Sequence, residues 1–264
     1  MEQILKAIIL GIIQGITEWL PISSTGHLKI AEECLNLKVP LLFDLTLHIG
    51  TLIIVLVFFR KDILEILKAL KNLDFKTEYG RLIPLIVVGT LPAALIYLTF
   101  DETVENTFTT ALPIAIAFII CGLILYPTKT TKEKREKITY LDALLIGTAQ
   151  GITIIPGISR SGTTIATALL LGLKREKSFK FSFLLSIPAI LGAFAEKLYK
   201  EHGQLATSSM GWTETILGAV IAMIVGYLAL KLLWKITAKG KLHLFAFYCW
   251  TIAIILIVLT AYGF

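Results

Sequence analysis

The residues able to do chemistry in this chain are few, and they fall in two short stretches. Gln14 and Glu18 are four residues apart, which puts an amide and a carboxylate on one face of a helix. Pro21 must end that helix, and Ser23 or Ser24 is then placed to cap the next one, with Thr25, Gly26 and His27 in its first turn. In the second stretch Pro156-Gly157 breaks a helix, Ser159 can cap its successor, and Arg160, Ser161 and Thr164 occupy the new first turn. A helix N-terminus presents unpaired N–H groups and a positive dipole end, both of which attract anions. A guanidinium adds two parallel donors that match a phosphate. The set suits a phosphate-bearing ligand, and His27, three residues after Ser24 on one face, is a candidate base or nucleophile.

Blander readings exist for each group. A lone histidine is more often a satisfied buried residue, and His48, set among apolar residues, is read as structural. His202 and His243 fall in loops and carry no signal. Gln150 repeats Gln14, but Ile154 stands where a second Glu18 would be, so only the first stretch keeps the acid. Cys34, Cys121 and Cys249 lack metal-ligand spacing and read as small buried hydrophobes. Glu18 and Arg160 both interrupt apolar segments, where an ionised side chain costs about 2.5–3.5 kcal/mol to insert. An ion pair that merely stapled two halves together would need neither His27 nor the surrounding hydroxyls.

The elements that must position these groups are membrane helices. The chain has 264 residues, 56% of them hydrophobic and only 17% charged, with a mean hydropathy of +0.79. A soluble surface of that size would carry more charge. Six apolar runs, near 43–60, 83–100, 111–127, 180–200, 213–235 and 243–262, are long enough to span a bilayer. Segments 4–37 and 139–173 are apolar but broken in the middle, which predicts two re-entrant helix–loop–helix pairs. Lys6 followed by an apolar run resembles a signal peptide, yet no small-residue cleavage site follows, so the segment is read as part of the fold.

The broken segments are copies. Shifted by 136 residues, Gln14-Gly15-Ile16-Thr17 falls on Gln150-Gly151-Ile152-Thr153, Gly11 on Gly147, Ser23 on Ser159, Gly26 on Gly162 and Phe43 on Phe179. A re-entrant pair returns to its own side, and three crossings follow before the next copy. The second copy is therefore expected upside down. The predicted architecture is one all-α membrane domain over residues 1–264, with two inverted-topology repeats near 1–130 and 138–264, each a re-entrant pair plus three transmembrane helices. Loops 60–81, 129–137, 174–180 and 231–241 should share one side, and they hold 19 of the 25 Lys and Arg. The positive-inside rule puts that side in the cytoplasm and both termini outside. The net charge of +6 lies in these short loops rather than on one face, so no nucleic-acid partner is expected.

The three motifs, Gln14-to-Glu18, Ser23-Ser24-Thr25-Gly26-His27 and Pro156-to-Thr164, resemble those of the undecaprenyl-diphosphate phosphatases of the bacitracin-resistance type, over essentially the whole chain. The resemblance implies a plasma-membrane enzyme that hydrolyses a polyprenyl diphosphate to the monophosphate and inorganic phosphate, recycling a lipid carrier for cell-wall synthesis. It implies help from a divalent cation, Mg²⁺ or Ca²⁺, with Glu18 and Gln14 as the metal-associated or acid/base pair. It marks Ser24 and His27 as nucleophile and partner, in either order, and Arg160 as the phosphate clamp. Ser23, Thr25, Gly26, Ser159, Ser161 and Thr164 complete the phosphate-binding set. Gln14 stands where many members have Glu, so Glu18 carries more of any metal's charge. A homodimer belongs to the same expectation. The rival is a transporter or flippase for a lipid phosphate or other anion, since broken midplane helices are transporter architecture. The type 2 phosphatidic acid phosphatases are excluded, because the position where they need a second histidine is Ala166.

Overall fold

A computed structural model describes residues 2–35, 37, 39–200 and 211–262, so Lys38 and His202 lie outside the described residues. It is all helical, with one isolated bridge between Arg135 and Leu173. The helices are α1 (Glu2–Trp19), α2 (Ser24–Cys34), α3 (Leu41–Phe58), α4 (Arg60–Lys71), α5 (Glu78–Thr107), α6 (Ala111–Leu125), α7 (Tyr140–Ile152), α8 (Arg160–Leu170), α9 (Arg175–Lys200), α10 (Trp212–Ala238) and α11 (Leu244–Ala261). A 3-10 turn, Tyr126–Thr130, continues α6. Among the described residues six helices are long and apolar enough to cross a membrane: α3, α5, α6 with its turn, α9, α10 and α11. The protein is a multi-pass membrane protein. The other apolar helices form two broken pairs, α1–α2 and α7–α8, whose breaks contain Pro21 and Pro156.

Several boundaries differ from expectation; α5, for one, overruns the expected 83–100 at both ends. Loop 60–81 contains a helix, α4, whose Ile63 and Ile66 pack on the core while Leu64, Leu67 and Leu70 remain exposed among lysines. That is the pattern of a helix lying in a membrane interface, too charged to be read as a span. Helix α9 begins at Arg175, inside the predicted basic loop, because Arg and Lys are good helix formers and can extend a span past the bilayer. The cysteine expectation also needs correction. Cys121 and Cys249 are buried, but Cys34, in the last turn of α2, is exposed.

Ion pairs draw three of the basic loops to one end of the molecule, and a packing contact adds the fourth. Lys180 pairs with Asp62 at 2.7 Å, Lys177 with Glu78, Arg175 with Glu133 and Lys174 with Glu136. Arg175 also packs on Gly240. At the other end Lys29 donates to the Phe108 carbonyl at 2.6 Å, and Lys200 lies 3.6 Å from Asp101. The mouth of the α7–α8 pair is at the basic end, where Arg135 donates to the Leu171 carbonyl and to Asp142.

Inside a bilayer apolar burial does not draw helices together, so close packing must hold them, and small residues permit it. Helix α1 packs on α10 and α7 on α5, through equivalent positions of the two halves. A Cβ on Gly11 would sit 2.6 Å from the Gly218 carbonyl oxygen, and one on Gly147 only 1.9 Å from that of Gly89. Each crossing demands glycine on the broken helix, where the partner backbone leaves no room for a side chain.

A candidate active site where the broken helices meet

The sequence explains how each tip is made. After α1 ends, Ser23 takes a left-handed backbone conformation (φ 66°) and caps α2 by accepting from the Gly26 N–H. Such a conformation costs a non-glycine residue of order 1–3 kcal/mol, and it persists only where neighbours hold it. The holders are identifiable. Ser23 Oγ accepts from the Gly157 N–H at 3.0 Å, and the Ser23 carbonyl lies 2.8 Å from His27 Nδ1. At the second tip Gly157 adopts φ 106°, and Ser159 caps α8 by accepting from the Gly162 N–H. Ser161 Oγ donates to the Trp19 carbonyl at 2.7 Å, so each tip is tied to the other's backbone. The buried thiols brace both turns from behind. Cys121 Sγ accepts from the Ser159 N–H, and Cys249 donates to the Pro21 carbonyl.

Glu18 lies at the junction, with only 4% of its side chain exposed. One carboxylate oxygen pairs with Arg160 Nη2. The other accepts from Ser24 Oγ at 2.7 Å and from Gln14 Nε2 at 3.1 Å. Arg160 also lies over the Trp19 ring, 5.6 Å from its centre. The two charges that were expected to meet across the halves do meet.

His48, a structural residue on the sequence reading, lies against this network. Its Nδ1 is 3.0 Å from Gln14 Nε2 and 3.5 Å from Glu18, while its Nε2 faces Asp44 at 3.6 Å. Asp44 in turn lies 3.8 Å from Lys197. A row of ionisable side chains therefore runs from Arg160 through Glu18, His48 and Asp44 to Lys197. Its signal was available, since Asp44 and His48 are four apart in an otherwise apolar span, where ionisable residues are functional by default.

His27 stands differently from the sequence reading. Its ring nitrogens face the Ser23 carbonyl and the Tyr248 hydroxyl, the latter at 2.8 Å, and the ring stacks on Tyr248. Neither nitrogen is directed at Ser24, because the first turn of α2 carries the two side chains to different neighbours. Of the expected phosphate-binding hydroxyls, Ser23, Ser159, Ser161 and Thr164 are buried, and Thr164 bonds the Arg160 carbonyl and Ser182. Thr25 is exposed, and Gly26 is pressed against Phe118. What faces outward from the tips is Ser24, Thr25, Arg160 and the start of α2.

Among the described residues no group of three or more His, Cys, Asp or Glu could hold a metal alone. Gln14 Oε1 is nevertheless buried without a partner, beside Glu18. An amide oxygen and a carboxylate are the hard oxygen donors that Mg²⁺ and Ca²⁺ accept, with phosphate oxygens completing the shell. The residues fit such an ion in company with a phosphorylated substrate.

The fold and site define a class: a polytopic membrane protein whose two broken helices bring a buried carboxylate, a guanidinium and a serine hydroxyl to one point. The family model described as bacitracin resistance protein BacA matches residues 7–255. An undecaprenyl-diphosphatase of Carboxydothermus hydrogenoformans is 44% identical, covering 98% of both chains. Proteins of the same name are 40% identical in Halothermothrix orenii, covering 97% of this chain and 98% of that one, and 39% identical in Methanobrevibacter smithii, covering 96% of each. This chain belongs to the bacitracin resistance protein BacA family.

Proposed function

We propose that this protein hydrolyses undecaprenyl diphosphate, or a close polyprenyl relative, to the monophosphate and inorganic phosphate, and so returns a lipid carrier to cell-wall synthesis. The observation that carries the mechanism is the hydrogen bond from Ser24 Oγ to Glu18, whose other oxygen holds Arg160. It supports Glu18 as the base and Ser24 as the nucleophile.

The diphosphate enters between the tips with its prenyl tail along the lipid-facing helices. Arg160 turns its fork from Glu18 onto the terminal phosphoryl group, and the N–H groups at the start of α2 add fixed dipoles. Ser24 oxygen attacks the terminal phosphorus while its proton passes to Glu18. The anhydride bond to the bridging oxygen breaks, and the lipid monophosphate leaves. Glu18 passes its proton to the departing lipid monophosphate. Water then attacks the phosphoserine phosphorus, and Glu18 takes one water proton and returns it to the Ser24 oxygen as its bond to phosphorus breaks. Phosphate departs with Ser24 restored. A divalent cation held by Glu18 and Gln14 would supply charge on the phosphoryl oxygens. His48 and Gln14 orient Glu18, and His27 fixes the strained Ser23 that sets Ser24's direction.

The same proposal includes an inverted relation of the two halves, with repeats near 1–130 and 138–264. Opposed mouths and exchanged helix partners support it. It places the basic end in the cytoplasm and both termini outside. A homodimer is part of it, tested by sedimentation in detergent.

The test is phosphate release from undecaprenyl diphosphate in detergent, with and without Mg²⁺, for wild type, Ser24→Ala and Glu18→Gln, together with acid quenching of substrate labelled in its terminal phosphate. Label trapped on Ser24, and loss of release by about 10²–10⁴ in either variant, is expected. An active Ser24→Ala enzyme with no trapped phosphoserine would overturn the serine route in favour of direct attack by water.

A further inference from the structure

The basic end holds a cavity unrelated to the tips. Its volume is about 610 Å³, and it opens between the turn after α4, the first turns of α5 and the start of α7. Lys76, Arg81 and Lys137 line it, with Phe75, Leu85 and Tyr140 as apolar walls.

Its charge is not balanced by the protein. The carboxylates nearby are engaged elsewhere: Glu78 by Lys177, Glu136 by Lys174, and Asp142 by Arg135 at 2.8 Å. Asp74 accepts from the Lys76 backbone N–H at 3.0 Å. Among the described residues, no ion pair joins Lys76, Arg81 or Lys137 to any acid. Helices α5 and α7 both begin at the cavity, but Thr77 caps the first, and a reciprocal Thr139–Asp142 box caps the second. The three side chains, not the helix ends, are therefore what an anion would meet.

The walls say what kind of anion. Below the cavity the outer faces of α5 and α7 are apolar and exposed, through Val87 and Leu91 on one and Leu141, Leu144 and Leu145 on the other. These lie on helices that sit in or cross the membrane, so a ligand whose charged part rests among the cations meets hydrocarbon immediately beside it. A soluble anion would use the charge and leave that surface unanswered. We infer that this cavity is a second lipid site, which takes the phosphate headgroup of an anionic phospholipid from the surrounding leaflet while its acyl chains lie along α5 and α7. Clustered Lys and Arg between membrane helices near an interface recognise such headgroups. The bound lipid would brace α7, which leads from the cavity to the second tip, against α5. The site is independent of the phosphatase reading.

The experiment uses the full chain in detergent, with retained lipid counted by native mass spectrometry and thermal unfolding followed on the same samples. Wild type, Lys76→Ala/Arg81→Ala/Lys137→Ala, and a charge-matched control, Lys235→Ala/Lys239→Ala/Lys241→Ala, are titrated with phosphatidylglycerol, phosphatidylcholine and inorganic phosphate. Lipid-free unfolding midpoints establish that all three fold. Wild type and control should retain phosphatidylglycerol and gain thermal stability from it, and the cavity variant should bind it at least about tenfold more weakly. Phosphatidylcholine should be retained poorly by all three. Equal retention by wild type and cavity variant, or no preference for phosphatidylglycerol over phosphatidylcholine, would sink the proposal. Displacement of the lipid by millimolar phosphate would identify a soluble anion instead and overturn the lipid assignment.

Discussion

Glu18 answers to four neighbours at once: Arg160 on one oxygen, Ser24, Gln14 and His48 about the other. A carboxylate taken into a membrane needs such company, because an isolated charge there costs several kcal/mol. The same company makes it a positioned base. The two histidines differ in how they join this network. His48 touches Glu18 and Gln14, whereas His27 touches Ser23 and Tyr248. His48→Asn is therefore expected to cut phosphate release roughly tenfold to a hundredfold, as loss of an orienting partner does. His27→Ala should act through the geometry of the tip and should change the unfolding midpoint as well. Turnover and unfolding, measured on both variants, test this. If His27→Ala abolished turnover with its fold intact while His48→Asn left turnover unchanged, His27 rather than Glu18 would be the partner of Ser24.

At the scale of elements, the broken pairs are held at two places, the tips and the mouths. The tips are fastened by serines reaching the opposite backbone. The mouth of the second pair is fastened by Asp142, which accepts from Arg135 twice and from Thr139 through both backbone and hydroxyl. Burial alone would raise the Asp142 pKa, but the Arg135 fork and the Thr139 donors outweigh it and hold the carboxyl below its ordinary value. A group depressed in this way stabilises the folded state above its unfolded pKa of about 4, and that contribution fades as the pH falls through the lower folded value. Asp142→Asn should lower stability by about 1–2 kcal/mol at neutral pH, the usual size of a lost cap. The gap between the two unfolding midpoints should close below about pH 4. A gap that stayed constant across the acid range would mean that ionisation of Asp142 is not what holds the mouth.

On the scale of the whole molecule, charge and topology are one matter. At one end the cations of loop 174–180 are laced to acids of loops 60–81 and 129–137, while the opposite end carries the pairs around Asp101 and Asp44. If the basic end is cytoplasmic, a cysteine at Glu102 should react with a membrane-impermeant maleimide in intact cells. One at Lys61 should react only after permeabilisation. Both belong in a Cys34→Ser background, since Cys34 is exposed and Cys121 and Cys249 are buried. Labelling in the reverse order would turn the molecule over and put both termini inside.

The spans, the two proline breaks, the repeat and the meeting of Glu18 with Arg160 were all legible in the letters. They follow from hydropathy, from the backbone limits of proline and from a copied motif, which are properties of neighbours along the chain. Even the grouping of the basic loops came from counting crossings. Three things were settled only by packing in three dimensions. Whether His48 or His27 reaches the carboxylate depends on how α3 is rotated against α1, and an apolar span betrays no rotation in its composition. Which serines stay available depends on the tips interlocking. Ser23, Ser159 and Ser161 are the same kind of residue as Ser24, yet the contact of two halves buries them and leaves Ser24 facing Glu18. The cavity at the basic end is lined by three cations that, among the described residues, pair with no acid, and a sum of charges along a sequence cannot say which charges are paired.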